Sequence, residues 1–336
     1  MKTAFQARLV NGRTGDPALF VDICREKRAV LFDCGSLTAL SPSEILRLSD
    51  VFVSHTHIDH FIGFDQLLRI HLGRGRRVRV FGPPGITACV RGKLAGYTWN
   101  LVRYQRLVFE VHELAGEEIQ VTEFVCRHRF RRPRQRRRRA QGSIWKDDLI
   151  RVRAASLDHR TPSLAYAVTE RDFYNVNPVE LEAIGLTPGP WLNELKRLVR
   201  SGQIDGARVE VDGDARNAQA LAGRLLIHSP GRTIGYIADS LGSEANARQA
   251  VELLQGADLL YCEAAFLHTD LERATETYHL TARQAGEIAR RAGVRRLEVF
   301  HFSPKYEGRF DELEREAALA FGAGEPVDQG LQSGAG

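Results

Sequence analysis

One heptapeptide constrains this chain of 336 residues more than anything else in it: Ser54-His55-Thr56-His57-Ile58-Asp59-His60. Four side chains able to bind a metal fall within six positions, at the end of a short apolar run, 50–54, that reads as a strand. On an extended segment residues two apart face the same way, so His55 and His57 point together. A turn after them can aim Asp59 and His60 at a second ion. Imidazole and carboxylate suit zinc, with bonds of about 2.0–2.2 Å. A polar loop rich in histidine by chance is the competing reading. It is weakened because three of only eleven histidines crowd into these six positions.

With 43% hydrophobic residues, the chain can bury one large core or two small ones. Charges interrupt every apolar run before it reaches the length of a membrane span, and the first residues lack the apolar stretch of a secretory signal. A soluble cytoplasmic protein is expected. The five cysteines, Cys24, Cys34, Cys89, Cys126 and Cys262, are odd in number and never form a Cys-x-x-Cys pair. That argues against a disulfide framework and a thiolate zinc site, and for buried free thiols.

Short apolar runs at 18–23, 29–33 and 78–81 predict strands, and 107–125 predicts a hairpin. Ser41-Pro42-Ser43-Glu44 has the form of a helix start, and 62–72 and 86–94 have helical spacing. Strands are expected again at 149–154 and 164–169. Residues 172–222 differ in texture: two short helical stretches surround Thr187-Pro188-Gly189-Pro190, and neither can bury much apolar area alone, so a protruding insert is expected. Beyond it, 233–238, 258–262 and 297–302 read as strands, and 281–292 and 310–321 as helices. The glycine-rich end, 326–336, is expected to be a disordered tail. Strands and helices alternating in two similar halves point to an α/β architecture of sheets covered by helices. The pattern alone does not choose among α/β folds.

The window 127–139 holds nine arginines and no acid, against a formal net charge of +5 for the whole chain. The rest of the chain is therefore net acidic, and the basic character belongs to this one feature. Such a run of like charge predicts a mobile loop. Bound to RNA, each arginine that met a phosphate would release counterions. Phe130 is its only aromatic, which gives no indication of base stacking, and His128 reads as a passenger. His71, His112, His228 and His268 show no partner pattern.

His-x-His-x-Asp-His after a strand resembles the signature of the metallo-β-lactamase superfamily. Three further candidates follow in matching order. His159 stands in Leu157-Asp158-His159-Arg160-Thr161-Pro162, Asp239 closes Ile234-Gly235-Tyr236-Ile237-Ala238-Asp239, and His301 opens His301-Phe302-Ser303-Pro304-Lys305-Tyr306. The resemblance implies the metallo-β-lactamase fold, an αββα sandwich of two mixed sheets with outer helices. It implies two Zn2+ ions per subunit, other divalent metals being possible. One would be held by His55, His57 and His159, the other by Asp59, His60 and His301, with Asp239 bridging them and Asp59 also able to accept a proton from water.

Within the superfamily, three features resemble ribonuclease Z. Thr277-Tyr278-His279-Leu280-Thr281 matches a segment whose histidine assists phosphodiester cleavage, with Glu263 in the place of the acid that orients it. The stretch around Trp191 resembles a flexible arm that grips tRNA. His301-Phe302-Ser303-Pro304-Lys305-Tyr306 is similar to a His-x-Ser-x-Arg-Tyr motif, which makes Ser303 and Lys305 candidate phosphate contacts. The resemblance implies one discontinuous catalytic domain, 1–171 with 223–325, interrupted by an inserted arm, 172–222. It implies an endoribonuclease removing tRNA 3′ trailers, a precursor tRNA partner and a homodimer. The sequence departs from the family pattern at Leu280, at Lys305, and in Ala238-Asp239-Ser240, where Gly-Asp-Thr is usual. A hydrolase of a small phosphodiester, cyclic nucleotide or lactone with the same metal core is the alternative.

Overall fold

The structure, a computed structural model, describes residues 5–24 and 26–322. The expected tail, 326–336, lies outside the described residues. The chain forms two compact units. One is built from the chain up to Val168 and again from Thr233 onward, the other from Thr169–Arg232.

In the first unit eight strands form a sheet in chain order: β1 (Phe5–Leu9), β2 (Leu19–Ile23), β3 (Arg28–Phe32), β4 (Leu48–Phe52), β5 (Arg77–Gly82), β6 (Val108–Ala115), β7 (Glu118–Val125) and β8 (Arg134–Arg139). β3 to β6 run parallel, with antiparallel strands flanking them on both sides. Parallel neighbours need crossovers, and these carry α1 (Pro42–Ile45), α2 (Ile58–Phe61), α3 (Phe64–His71) and α4 (Ile86–Ala95). α1 begins as its sequence predicts: Ser41 and Glu44 close a capping box, with Pro42 in the first turn. Ile45, Phe64, Leu68 and Val90 from these connections pack with Leu31, Val51, Val80 and Phe109 of the sheet.

The arginine run corrects the expectation of a mobile loop. Arg134–Arg139 is the edge strand β8, paired antiparallel with β7. β7 has a row of backbone donors and acceptors to satisfy. Repulsion is locally offset where Arg136 meets Glu110 at 3.3 Å and Arg137 meets Glu118 at 3.7 Å. A charge count along the chain cannot register either effect.

The chain continues through β9 (Trp145–Lys146), β10 (Ile150–Asp158) and β11 (Pro162–Glu170). The second unit then holds β12 (Phe173–Val176), β13 (Arg208–Val211), β14 (Asp214–Asn217) and β15 (Leu226–Ser229), with α5 (Pro178–Ala183), α6 (Trp191–Ser201) and α7 (Ala218–Leu225). β12 pairs with β15, and β13 with β14. α5 and α6 are the two helical stretches anticipated inside 172–222. They do not stand alone: Leu181, Trp191 and Leu195 share a small core with Val211 from the hairpin and Leu225 from α7.

The first unit resumes with β16 (Thr233–Ile237), α8 (Glu244–Leu254), β17 (Leu259–Glu263), α9 (Leu271–Glu276), α10 (Ala282–Arg291), β18 (Leu297–Phe300) and α11 (Phe310–Phe321). The second sheet has the order β18-β17-β16-β11-β10-β9, parallel from β16 to β18. Leu254, Ile288 and Leu313 of the later helices share a core with Cys262 and Val299 of this sheet. A third core lies between the sheets, where Phe32, Phe52 and Phe81 meet Tyr166, Tyr236 and Phe300. Buried phenols need partners, and Tyr166 donates to the Val53 carbonyl at 2.7 Å. The result is the expected αββα sandwich. β1 and α8 were not anticipated from the sequence. All five cysteines are free thiols, three of them buried and Cys24 and Cys89 half-buried.

Candidate metal centre

Beyond β4 the chain turns at the end of the parallel strands. His57 caps the single turn of α2, which carries Asp59 and His60. Two glycines let this turn settle against the end of β3. A Cβ on Gly63 would sit 2.0 Å from the Gly35 carbonyl, and one on Gly35 would sit 2.6 Å from that of Asp59. In this space Cys34 N donates to the His60 carbonyl at 2.8 Å and Gly63 N to that of Cys34 at 2.9 Å. The other candidates also leave strand ends: His159 follows β10, Asp239 lies just past β16, Glu263 ends β17 and His301 follows β18.

The fold brings these ends together. His55, His57, His159 and Asp239 offer ligand atoms within 4.8 Å of one another, and so do Asp59, His60 and His301. Asp239 faces both groups. Its Oδ2 lies 3.5 Å from His159 Nε2 and 3.8 Å from His55 Nε2. Its Oδ1 lies 3.2 Å from His301 Nε2 and 3.3 Å from His60 Nε2. Asp59 Oδ2 approaches the same His60 nitrogen at 3.3 Å.

Hydrogen bonds on the far side of the rings decide which nitrogens face inward. His60 Nδ1 donates to Asp33 Oδ2 at 2.8 Å, and His159 Nδ1 to the Tyr278 carbonyl at 2.6 Å. His55 Nδ1 lies 3.1 Å from Ser54 Oγ. That leaves each Nε2 as the lone-pair nitrogen pointing into the cluster. The Nε2 atoms of His55 and His60 and Oδ1 of Asp239 are buried without a hydrogen-bond partner. Buried polar atoms are costly when unsatisfied, and three of them converging here fit a divalent cation. Burial, then the neighbouring His60, pushes the His55 imidazole down to about 2, which keeps it in the neutral form, able to bind a metal. Burial works against the Asp59 carboxylate, but the adjacent His60 outweighs it and holds Asp59 at about 2.

His279 Nδ1 lies 2.9 Å from Glu263 Oε2 and 3.9 Å from Asp239 Oδ2. Burial lowers its pKa, yet the charge of Glu263 and their hydrogen bond prevail and raise it to about 9. A cleft of about 320 Å3 is lined by Asp59, Phe266, His279, His301 and Ser303, among others. Lys305 is not in that lining; its ammonium meets Asp270 at 2.5 Å. Sequence reasoning missed Asp33 and the Tyr278 carbonyl as orienting partners, and Asp16 as a cleft residue. The remaining buried or half-buried histidines have other partners: His71 bonds to the Leu67 carbonyl, His112 to Glu110 and His268 to Thr281.

No family model matches the chain. Among solved structures, the metallo-β-lactamase fold protein YhfI from Bacillus subtilis aligns with a TM-score of 0.55 at 16% identity, over 94% of this chain and 92% of its own. Human tRNase Z, short form, aligns with a TM-score of 0.52 at 19% identity, over 90% and 92%. These likenesses establish the metallo-β-lactamase fold. Sequence similarity reaches further. Ribonuclease Z of Deinococcus radiodurans is 32% identical over 324 residues, which span 94% of this chain and 96% of that protein. Identity at that level, sustained along nearly the whole of both chains, means that this protein belongs to the ribonuclease Z family.

Proposed function

We propose that this protein is a zinc-dependent endoribonuclease that removes the 3′ trailer from precursor tRNA, leaving a 3′-hydroxyl on the tRNA and a 5′-phosphate on the trailer. The observation that carries the reading is Asp239, whose two oxygens address separate groups of ligand atoms. His55, His57 and His159 would hold one zinc, and Asp59, His60 and His301 the other, with Asp239 shared. Ions bound there would supply Lewis acidity, making water acidic enough to attack near neutral pH and offsetting charge at the phosphate.

The chain's own groups do the rest. Asp59, ionised and half-exposed on the cleft, accepts the proton of the attacking water. His279, kept protonated by Glu263, gives a proton to the departing 3′ oxygen. Ser303 lies in the cleft lining, within reach of a substrate phosphate. Lys305 would have to exchange Asp270 for a phosphate to serve the same end. The insert, 172–222, serves as the arm that grips the tRNA, and the working form is a homodimer in the cytoplasm. No helix among the described residues is long and apolar enough to cross a membrane.

The direct test is incubation of zinc-loaded protein with a precursor tRNA carrying a 3′ trailer, beside Asp239→Ala. A sharp cut near the discriminator base by the wild type alone is the expected result. An intact precursor after incubation with the zinc-loaded wild type would refute the reading.

A further inference from the structure

We infer that the arginine-bearing edge of the first sheet is a separate surface for RNA phosphates, remote from the metal centre; this rests on the reading of the protein as a ribonuclease for a folded RNA. Arg136, Arg137 and Arg138 are engaged with Glu110, Glu118 and the Ile144 carbonyl. The guanidinium groups of Arg127, Arg129, Arg131, Arg132, Arg134 and Arg139 are exposed and have no hydrogen-bond or ion-pair partner among the described residues.

Six unpaired like charges repel, and a segment with no use for them would swing free. This one is held. Phe130 is buried and packs edge-on against Trp99, with ring centroids 4.9 Å apart. Around it Arg129, Phe130 and Arg132 take left-handed backbone angles, with φ of 58°, 55° and 54°. Side-chain-bearing residues adopt that region rarely and at a cost. Beyond the turn, β8 is in register with β7 from Glu123↔Arg134 to Glu118↔Arg139. Guarding a sheet edge against aggregation also calls for charge, but Arg127, Arg129, Arg131 and Arg132 precede the edge strand and guard nothing.

The chemistry of the patch favours RNA over a protein partner. A protein interface needs an apolar centre to bury. The one large apolar side chain in 127–139, Phe130, is already buried in the core. A phosphate backbone needs only cations. β8 lies four strands from β4, or about 19 Å at the usual strand spacing. That is beyond a small phosphodiester in the cleft but within the span of a folded RNA. β8 also runs in the direction of β4, so Arg139 lies at the end of the sheet where the histidine turn begins and the turn 127–132 at the opposite end, a spread that suits an extended RNA backbone rather than a small ester.

The test replaces the six unpaired arginines by glutamine in the full-length zinc protein, with a companion in which the same six become lysine. Precursor tRNA binding is measured across a salt series, alongside turnover of bis(p-nitrophenyl) phosphate. In the glutamine variant, affinity should fall about tenfold or more near 0.1 M salt, and the slope of log affinity on log salt should flatten by about 2 to 4. Turnover of the small ester should be unchanged, and the lysine variant should bind like the wild type. An unaltered slope in the glutamine variant overturns the inference and leaves the patch to an acidic protein. A lysine variant as weak as the glutamine one also overturns it, because charge is then not the cause. Should the glutamine variant lose small-ester turnover, Arg131→Gln with Arg132→Gln carries the same measurement on the turn alone. Salt-dependent binding through these residues without trailer removal would sink the proposed reaction and leave this surface standing.

Discussion

His60 Nδ1 donates to Asp33 Oδ2 at 2.8 Å, and both side chains are fully buried. The same oxygen accepts from Ser54 Oγ and from the Tyr236 hydroxyl, each at 2.8 Å, and Ser54 N reaches Oδ1 at 2.6 Å. Asp33 therefore fixes the His60 ring and turns its Nε2 toward Asp59 and Asp239. Carboxylates that orient a ligating imidazole in this way are worth about 10–100-fold in metal affinity. Asp33→Asn, nearly isosteric, should weaken zinc binding by a factor in that range. Competition against a chromogenic chelator reads it directly, and an unchanged affinity would remove Asp33 from the centre.

Metal removal should cost stability, because folding alone leaves Nε2 of His55 and His60 and Oδ1 of Asp239 buried and unsatisfied. A ligand bound at a hundred times its Kd stabilises the folded state by about 2.7 kcal/mol. Dialysis against a chelator should lower Tm by several degrees, and added zinc should restore it. Asp239→Ala should blunt that zinc-dependent rise. Equal melting with and without zinc in the wild type would mean that these atoms do not meet an ion.

Glu110 offers a pH test away from the metal centre. Burial alone would raise its pKa. The His112 hydrogen bond and charge, with Arg77 and Arg136, outweigh burial and hold the carboxyl down at about 2. A carboxyl whose pKa falls on folding stabilises the protein fully above its unfolded value of about 4.3. That contribution drains away as the pH falls through the folded value. Glu110→Gln should therefore cost on the order of 2 kcal/mol near pH 7. Its gap to the wild type, read from urea midpoints, should narrow steadily below about pH 4.5. A gap that stays constant down to pH 3 would contradict the assignment.

The histidine turn is legible as a candidate site because its metal-binding side chains are local, and the remote candidates because each follows a strand in a fixed order. Asp33 is not. An aspartate closing an apolar run looks like any strand end, and its partner Tyr236 lies 203 residues away. The Tyr278 carbonyl that orients His159 belongs to the backbone, which has no residue signature. In sequence β8 looks like a loop because repulsion between neighbours is visible there, while the waiting edge of β7 and the acids of β6 and β7 are not. Lys305 matched a motif position, but its choice of Asp270 depends on a residue 35 positions distant.

The insert can be tested by removal. The second unit buries its own core around Trp191, Leu195 and Leu225, and the cores of the first unit are built from its own residues. Replacing 173–229, from β12 through β15, by a short glycine-serine linker should lower kcat/KM for precursor tRNA by about 100-fold, roughly 2.7 kcal/mol of transition-state binding. Hydrolysis of bis(p-nitrophenyl) phosphate should survive. Equal losses on both substrates, or none on either, would deny the insert a role in holding tRNA.

Glu263 divides its carboxylate between scaffold and site. Oε1 accepts from Ser240 N at 2.6 Å and Leu280 N at 3.3 Å, and Oε2 from His279 Nδ1 at 2.9 Å. The acid is fully buried, so the backbone holds it and it in turn holds the imidazole. With Nδ1 occupied, His279 has Nε2 free to donate, and the ring lines the cleft beside His301. If it protonates the departing 3′ oxygen, its worth depends on the leaving group. A ribose alkoxide needs the proton, whereas nitrophenolate is stable without it. His279→Ala should lower kcat on precursor tRNA by about 10²- to 10⁴-fold, with zinc content intact and turnover of bis(p-nitrophenyl) phosphate nearly unaffected. Glu263→Gln should follow the same pattern, since an amide has one oxygen for the two sides that Glu263 serves and no charge to keep His279 protonated. Equal losses on both substrates would show that His279 acts on the phosphate or the ligands rather than on the leaving oxygen.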